Sequence, residues 1–256
     1  MSHVFAVANQ KGGVGKTTTA INLAASLAAN DLKVLVIDSD PQGNATTGLG
    51  VTKDPARPSL YHVILGDANP GEAIVQTEFD GLYLISADKN LVGANLELVD
   101  VPNREFRLRE RLAPIRESYQ FILIDCPPAL DLLTLNALIA ADSVLVPIQC
   151  EFFALEGISE LVDTIERIGK SFNHPLKIEG ILLTMFDDRT NLTRLVTNDL
   201  RDFFKDEVFE TVIPRSIRLA EAPSFGKPIL SYDPRSKGAE AYIQLAKEIL
   251  DREQAR

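Results

Sequence analysis

Short apolar runs recur along the chain, and most are followed by a stretch whose apolar residues return every three or four positions. The runs predict strands at Val4–Ala8, Lys33–Asp38, Leu82–Ser86, Phe121–Asp125, Ser143–Ile148, Ile178–Met185 and Thr211–Ile213. The helical spacing predicts helices at Thr17–Ala29, Leu155–Phe172, Leu192–Phe204 and Ala239–Leu250. In the second of these, Ile158, Leu161, Val162, Ile165 and Ile168 share one face. Several strands are nearly continuous Val, Ile and Leu, the pattern of strands buried on both faces. The expected fold is α/β: a twisted, mostly parallel sheet with helices on both faces. No low-complexity linker divides residues 1–256, so one domain is expected. The stretch Asp54–Asn90, with several Pro and Gly, is the least regular.

Composition changes this picture little. The chain is 45% apolar and 24% charged, an ordinary globular balance that excludes collagen-like, coiled-coil and disordered classes. Its longest apolar runs, such as Val4–Ala8 and Ala137–Ala141, are five residues. A membrane span needs about 20. The N-terminus shows no signal-peptide pattern, and a cytoplasmic setting is expected. Cys126 and Cys150 are far apart and read as buried free thiols. His3, His62 and His174 form no ligand cluster. The net charge of −10 argues against a protein coated in basic charge for nucleic acid, but leaves room for a local patch.

The chemistry begins at Gln10-Lys11-Gly12-Gly13-Val14-Gly15-Lys16-Thr17-Thr18, between the first strand and the first helix. Glycines there let backbone N–H groups approach phosphate oxygens, and the helix N-terminus adds partial positive charge. Lys16 suits the β- and γ-phosphates, and the Thr17 hydroxyl suits Mg²⁺. The strict phosphate-loop pattern asks for glycine where Gln10 stands. Lys11, five residues before Lys16, is the informative departure.

With that second lysine the loop resembles the deviant Walker A ATPases, whose pattern is KGGxxK[ST] and which include the ParA/Soj partitioning proteins. The resemblance implies ATP and Mg²⁺ as ligands, bound by Lys11, Gly12, Gly13, Val14, Gly15, Lys16, Thr17 and Thr18. It further implies that Lys11 crosses a dimer interface to the partner's nucleotide; a solvated loop lysine is the other reading. Asp38-Ser39-Asp40-Pro41-Gln42-Gly43-Asn44 is similar to the family's DxDPQGN segment. By that likeness Asp40 orients the attacking water near Mg²⁺ and Asp38 acts through the metal's shell; a turn role before Pro41 is Asp40's alternative. Phe121–Asp125 followed by Cys126-Pro127-Pro128 has Walker B form, with Asp125 near Mg²⁺. Lys11, Lys16 and Asp40 are therefore the expected catalytic residues, and Thr17, Asp125 and Asp40 the metal site. Pro147 to Gly157 is similar to the family's PxxxExxALEG stretch, leaving Glu151 either at the dimer seam or as a helix-start carboxylate. Pro214 and, less securely matched, Ser216 are implied at the adenine.

Between Thr211 and Gly238 the basic residues Arg215, Arg218, Lys227, Arg235 and Lys237 face only Glu221 and Asp233, a local charge of +3. Such asymmetry is what a phosphate-binding patch needs, although a solvated charged surface has it too. The segment resembles the ParA/Soj DNA-binding face and implies Arg189, Arg218 and Lys227 as DNA contacts. The likeness runs from Lys11 to about Tyr242. It implies a partitioning ATPase working as an ATP-dependent homodimer on nonspecific double-stranded DNA, associated with the nucleoid and reset by a ParB/Spo0J-type centromere-binding protein. Three rivals use related scaffolds. A MinD-type membrane ATPase would end in a basic amphipathic helix, whereas Ile249–Arg256 is mixed in charge. An iron–sulfur carrier needs paired cysteines. A metabolic ligase gives no reason for Lys11.

Overall fold

The computed structural model describes residues 2–151, 154–172 and 175–255, and the side chains of all of these except 154–156. His174, Phe152 and Phe153 lie outside the described residues, as do the side chains of Leu155 and Glu156. Eight strands form one sheet: β1 His3–Val7, β2 Val34–Asp38, β3 Ile74–Gln76, β4 Leu82–Ile85, β5 Phe121–Asp125, β6 Ser143–Gln149, β7 Lys177–Phe186 and β8 Val208–Pro214. Their order is β3-β4-β2-β5-β1-β6-β7-β8. Every pairing is parallel except the β3–β4 edge, which is antiparallel.

Alternation along each strand explains the continuous apolar runs. Val4 and Ala6 of β1 face one core with Leu35, Ile37, Ile122 and Ile124. Phe5 and Val7 face the other with Val34, Val36 and Leu123. Helices Leu132–Ala140, Ala154–Phe172 and Asn191–Phe204 cover the first face, and Lys16–Ala28 and Lys237–Gln254 the second. In Ala154–Phe172 the expected face is the one turned inward, with Ile158, Leu161, Ile165 and Ile168 buried and Val162 packed beside them. The result is a single α/β domain with both sheet faces covered. Among the described residues no helix is long and apolar enough to cross a membrane.

Some elements depart from the sequence pattern. β8 is longer than Thr211–Ile213 because Phe209 is fully buried, over Gly180 of β7 and under the Arg252 guanidinium, 4.4 Å from its ring centre. A Cβ at position 180 would collide with that ring. Within Asp54–Asn90 the chain forms a helix at Leu60–Leu65 and the edge strand β3. That helix is closed by a capping box: the Ser59 N–H donates to His62 Nδ1 at 3.1 Å. His62 thus has a capping task, and His3 pairs with Glu253 and stacks on Phe121.

Candidate functional site

The parallel strands β2, β5, β1 and β6 end side by side, and open α/β sheets gather ligands at that edge. The glycine-rich loop leaves β1 there and enters Lys16–Ala28 through Gly15 at φ 90°, with Gly13 at φ 75°. Both angles are costly for any side chain. No side chain caps this helix and its first turn carries no acid, so its leading N–H groups are unclaimed by a cap and suited to an anion. A Cβ at Gly12 or Gly13 would meet nothing within 4 Å, so the space over the loop is open.

Two side chains that the motif reading did not single out hold the loop. Buried Asn9 donates from Nδ2 to the Pro147 carbonyl at 2.8 Å and accepts the Lys11 N–H on Oδ1 at 2.9 Å. Buried Thr184, on β7, donates its hydroxyl to the Val14 carbonyl at 2.8 Å. Lys16 is also buried, and its Nζ donates to the Lys11 carbonyl at 2.9 Å, bridging the loop. Burial lowers its pKa, while Asp125, Cys126 and Asp40 pull the other way. The Lys11 ammonium forms an ion pair with Glu151 of the same chain, both side chains about half exposed.

Asp38 and Asp125 are register partners on adjacent strands, and both are fully buried. Asp38 is saturated. It accepts the Thr46 N–H and hydroxyl, each at 2.7 Å, and the Asp40 N–H at 3.2 Å. Burial raises its pKa to about 6 despite these bonds. Asp125 has no hydrogen-bond partner of normal geometry on either oxygen. Burial raises its pKa well above the carboxylate range, and the neighbouring Asp38 charge adds to the rise; the Thr17 hydroxyl and Lys16 oppose it. Asp40 is half-buried and makes a turn, its Oδ1 accepting the Gln42 N–H at 2.9 Å.

A partnerless buried carboxylate beside a lysine and a threonine hydroxyl suits a hard cation. Among the described residues no three His, Cys, Asp or Glu side chains converge as a ready-made metal cage. That fits Mg²⁺, which commonly binds through one or two carboxylates, phosphates and water rather than an all-protein cage. Asp125 and Thr17 could hold it, and the half-buried Asp40, whose charge acts on both Asp125 and Lys16, is the third expected ligand. Both Asp38 oxygens already accept hydrogen bonds from Thr46 and Asp40.

Beside Gly15 and Thr18 lies a second cavity of about 200 Å³, lined by Pro214 and Ser216 and also by Met185, Leu219 and Tyr242. Met185 sits at φ 47°, unusual for a long side chain. Its place at the end of a predicted strand was the signal available for it.

Arg189 and Arg218 follow the ends of the adjacent strands β7 and β8, where the Arg215 N–H reaches the Phe186 carbonyl at 3.3 Å. Both are exposed and both are engaged. Arg189 grips Asp187 with two bonds, of 2.8 and 2.7 Å, and holds that carboxyl down at about 2. Arg218 pairs with Glu221 at 3.0 Å and with Asp233 at 3.5 Å. Those are the two acids of the basic segment. Lys227 is exposed.

The chain matches the AAA domain family over residues 2–178. It is 52% identical to the chromosome partitioning protein ParA of Myxococcus xanthus, over 99% of this chain and 89% of that one. It is 51% identical to the sporulation initiation inhibitor protein Soj of Bacillus subtilis, over 97% and 98%. Its fold is similar to cobyrinic acid a,c-diamide synthase of Mycobacterium smegmatis, crystallised with ADP and magnesium, at a TM-score of 0.87 and 38% identity, over 100% of this chain and 96% of that one. Half of its residues are shared with partitioning proteins from end to end, and its phosphate loop carries the extra lysine at the expected place. The chain belongs to the ParA/Soj family of chromosome-partitioning ATPases.

Proposed function

We propose that the protein is an ATP-dependent partitioning ATPase whose ATP-bound dimer holds DNA without regard to sequence and is reset by a ParB-type partner. The observation that carries the nucleotide half is the orphaned Asp125 carboxylate beside Lys16 and an uncapped helix N-terminus. The loop N–H groups and Lys16 receive the phosphates, with Lys16 leaving the Lys11 carbonyl to do so. Pro214 and Ser216 border the base. Thr17 and Asp125 hold Mg²⁺, which when bound neutralises charge developing on the phosphate oxygens. Asp40 orients the attacking water. Asp38 does so indirectly, by fixing the backbone of Asp40 and Thr46. Lys11 leaves Glu151 and reaches the second subunit's nucleotide, where a cation stabilises the transition state.

Arg189, Arg218 and Lys227 contact phosphates, which carry no base information. Pairing two such surfaces in a dimer doubles the contacts, and affinity rises steeply with their number, with a logarithmic salt slope of roughly −0.9 per phosphate. The setting is the cytoplasm, on the nucleoid. A membrane-anchored reading has little support, because the Lys237–Gln254 helix spends its apolar face, Tyr242, Leu245, Ala246 and Ile249, on the core. The synthase likeness has lower identity than the partitioning relatives and carries no second reading.

Size measurement with and without ATP and Mg²⁺, followed by DNA titration across salt, tests the proposal. An ATP-dependent dimer with steep salt dependence is expected. A monomer indifferent to DNA would sink it.

A further inference from the structure

The basic segment carries a stacked aromatic pair. The rings of Phe225 and Tyr232 lie 4.9 Å apart, their planes 29° from parallel. Tyr232 is packed against the second core, whereas Phe225 is 62% exposed. One face of the Phe225 ring therefore rests on Tyr232 and the other is open to solvent.

A lone exposed aromatic needs no explanation. This one is tied to cations. The Tyr232 hydroxyl donates to Glu221 Oε2 at 3.1 Å, and the Arg218 guanidinium donates to the same oxygen at 3.0 Å. Arg218 also reaches Asp233, next to Tyr232, at 3.5 Å. One carboxylate thus fixes a guanidinium and the aromatic pair to each other. Lys227, two residues past Phe225, is exposed, and so are Arg235 and Lys237.

The backbone under the ring is held in place. The Gly226 N–H donates to the Pro223 carbonyl at 3.0 Å, and the Lys227 N–H to the Ala222 carbonyl at 3.3 Å. Gly226, at φ 63°, lies against Gly50, at φ 72°. A Cβ on Gly50 would come within 2.7 Å of the Gly226 carbonyl oxygen. A ring preset in this way loses little freedom when a flat ligand covers it.

Phosphate contacts account for the cations but not for the ring. An aromatic face within a basic surface suits unpaired bases, because every base has a π-face to stack and the cations follow its backbone. The bases of a duplex cover one another and cannot reach such a ring. We infer that Phe225, backed by Tyr232, is a stacking site for an unpaired DNA base, so that this surface also takes single-stranded DNA at strand ends and open bubbles. Arg218 and Lys227 meet the flanking phosphates, an assignment that rests on the DNA-binding reading above; the role of the ring does not.

The test uses the full-length protein with ATP and Mg²⁺, and as probes a dye-labelled oligothymidine and a duplex of equal length. Phe225→Ala is expected to bind the single strand about tenfold more weakly and the duplex within about twofold of the parent. Its salt slope on the single strand stays that of the parent, because stacking releases no counterions. Its melting temperature stays close to the parent's, since the ring is largely exposed. The chain has no tryptophan, so Phe225→Trp puts a single indole at the site. That variant is expected to restore affinity and to be quenched by the single strand but not by the duplex. Equal weakening of Phe225→Ala on both probes would put the ring against the duplex or in the service of the fold. Unchanged single-strand affinity would remove it from recognition. Either result overturns the stacking site. A blue shift of the Phe225→Trp emission with ATP and Mg²⁺ alone would mean that the second subunit covers the ring, and overturns it too. If the parent binds the single strand through Phe225 but ignores the duplex, the duplex-binding reading fails and the stacking site stands. If it binds the duplex alone, the reverse holds.

Discussion

β2 and β5 end in aspartates that are neighbours in register, equally buried, and opposite in their bonding. Asp38 accepts three hydrogen bonds from Thr46 and Asp40, whereas neither Asp125 oxygen has a partner of normal geometry. Asp38 is a fastener: Thr46 also receives the Ala87 N–H on its hydroxyl at 3.0 Å, so one carboxylate ties the end of β2, the Asn44–Gly48 helix and the loop after β4. The Asp125 carboxylate fastens no distant segment; only Thr17 and Lys16, on the phosphate loop, favour its charged form, and the remaining burial cost is one that a ligand offsets. Buried acids of the same type and position thus divide into structural and functional ones by who donates to them.

Replacing Asp125 should break the contrast most visibly. Asp125→Asn is expected to lower Mg²⁺-dependent turnover on the order of a hundredfold or more while raising the thermal stability of the nucleotide-free protein. Steady-state hydrolysis and a melting curve check both signs. A stability loss would mean that the carboxylate has an internal partner after all.

Asp40→Ala tests the half-exposed acid between these extremes. Turnover should fall about a hundredfold, with ATP binding and dimer formation retained, because general acid–base contributions are typically of that size. The readout is the dimer's lifetime after mixing with ATP and Mg²⁺. A short-lived dimer would leave Asp40 with only its turn.

Thr46→Val should cost about 1–3 kcal/mol by denaturant titration, since it strips a donor from a buried carboxylate. Its ATP affinity should change little, in contrast to Asp125→Asn. A loss below about 0.5 kcal/mol would show that Asp38 is not the fastener described.

The fastener has a pH signature. The folded pKa of Asp38 is raised from 3.8 to about 6. A raised carboxylate pKa contributes stability that is full below the unfolded value and is lost as pH rises through the folded one. Between about pH 4 and 6, nucleotide-free wild type should therefore lose stability relative to Asp38→Asn. Parallel stability curves for the two proteins would remove this group from the linkage.

The smallest expected effect lies on the proposed DNA face, where Asp187 holds Arg189. Asp187→Asn releases Arg189, and DNA affinity in the ATP state should rise about threefold, in keeping with the modest strength of exposed ion pairs. A fall would mean that Asp187 orients the arginine for phosphate.

Much of the architecture was legible in the chain itself, and the reason is locality. Strands β1, β2, β5 and β6 are contiguous apolar runs. The phosphate loop is a contiguous motif between the first such run and an Ala-rich helix. β3 and the Leu60–Leu65 helix were not legible, because a three-residue edge strand and a single capped turn carry too few apolar positions to set a period.

Sequence alone also singled out candidates by their chemistry: Lys16, Thr17, Asp40, Asp125 and the basic segment around Arg218. The tertiary structure decided which of them are free. Lys11 meets Glu151 across 140 positions of chain, and Thr184 reaches the Val14 carbonyl across 170. Asp38 and Asp125 become neighbours only because β2 and β5 pair in that register. Whether a polar group is satisfied depends on donors brought in from distant segments, and no local pattern encodes that.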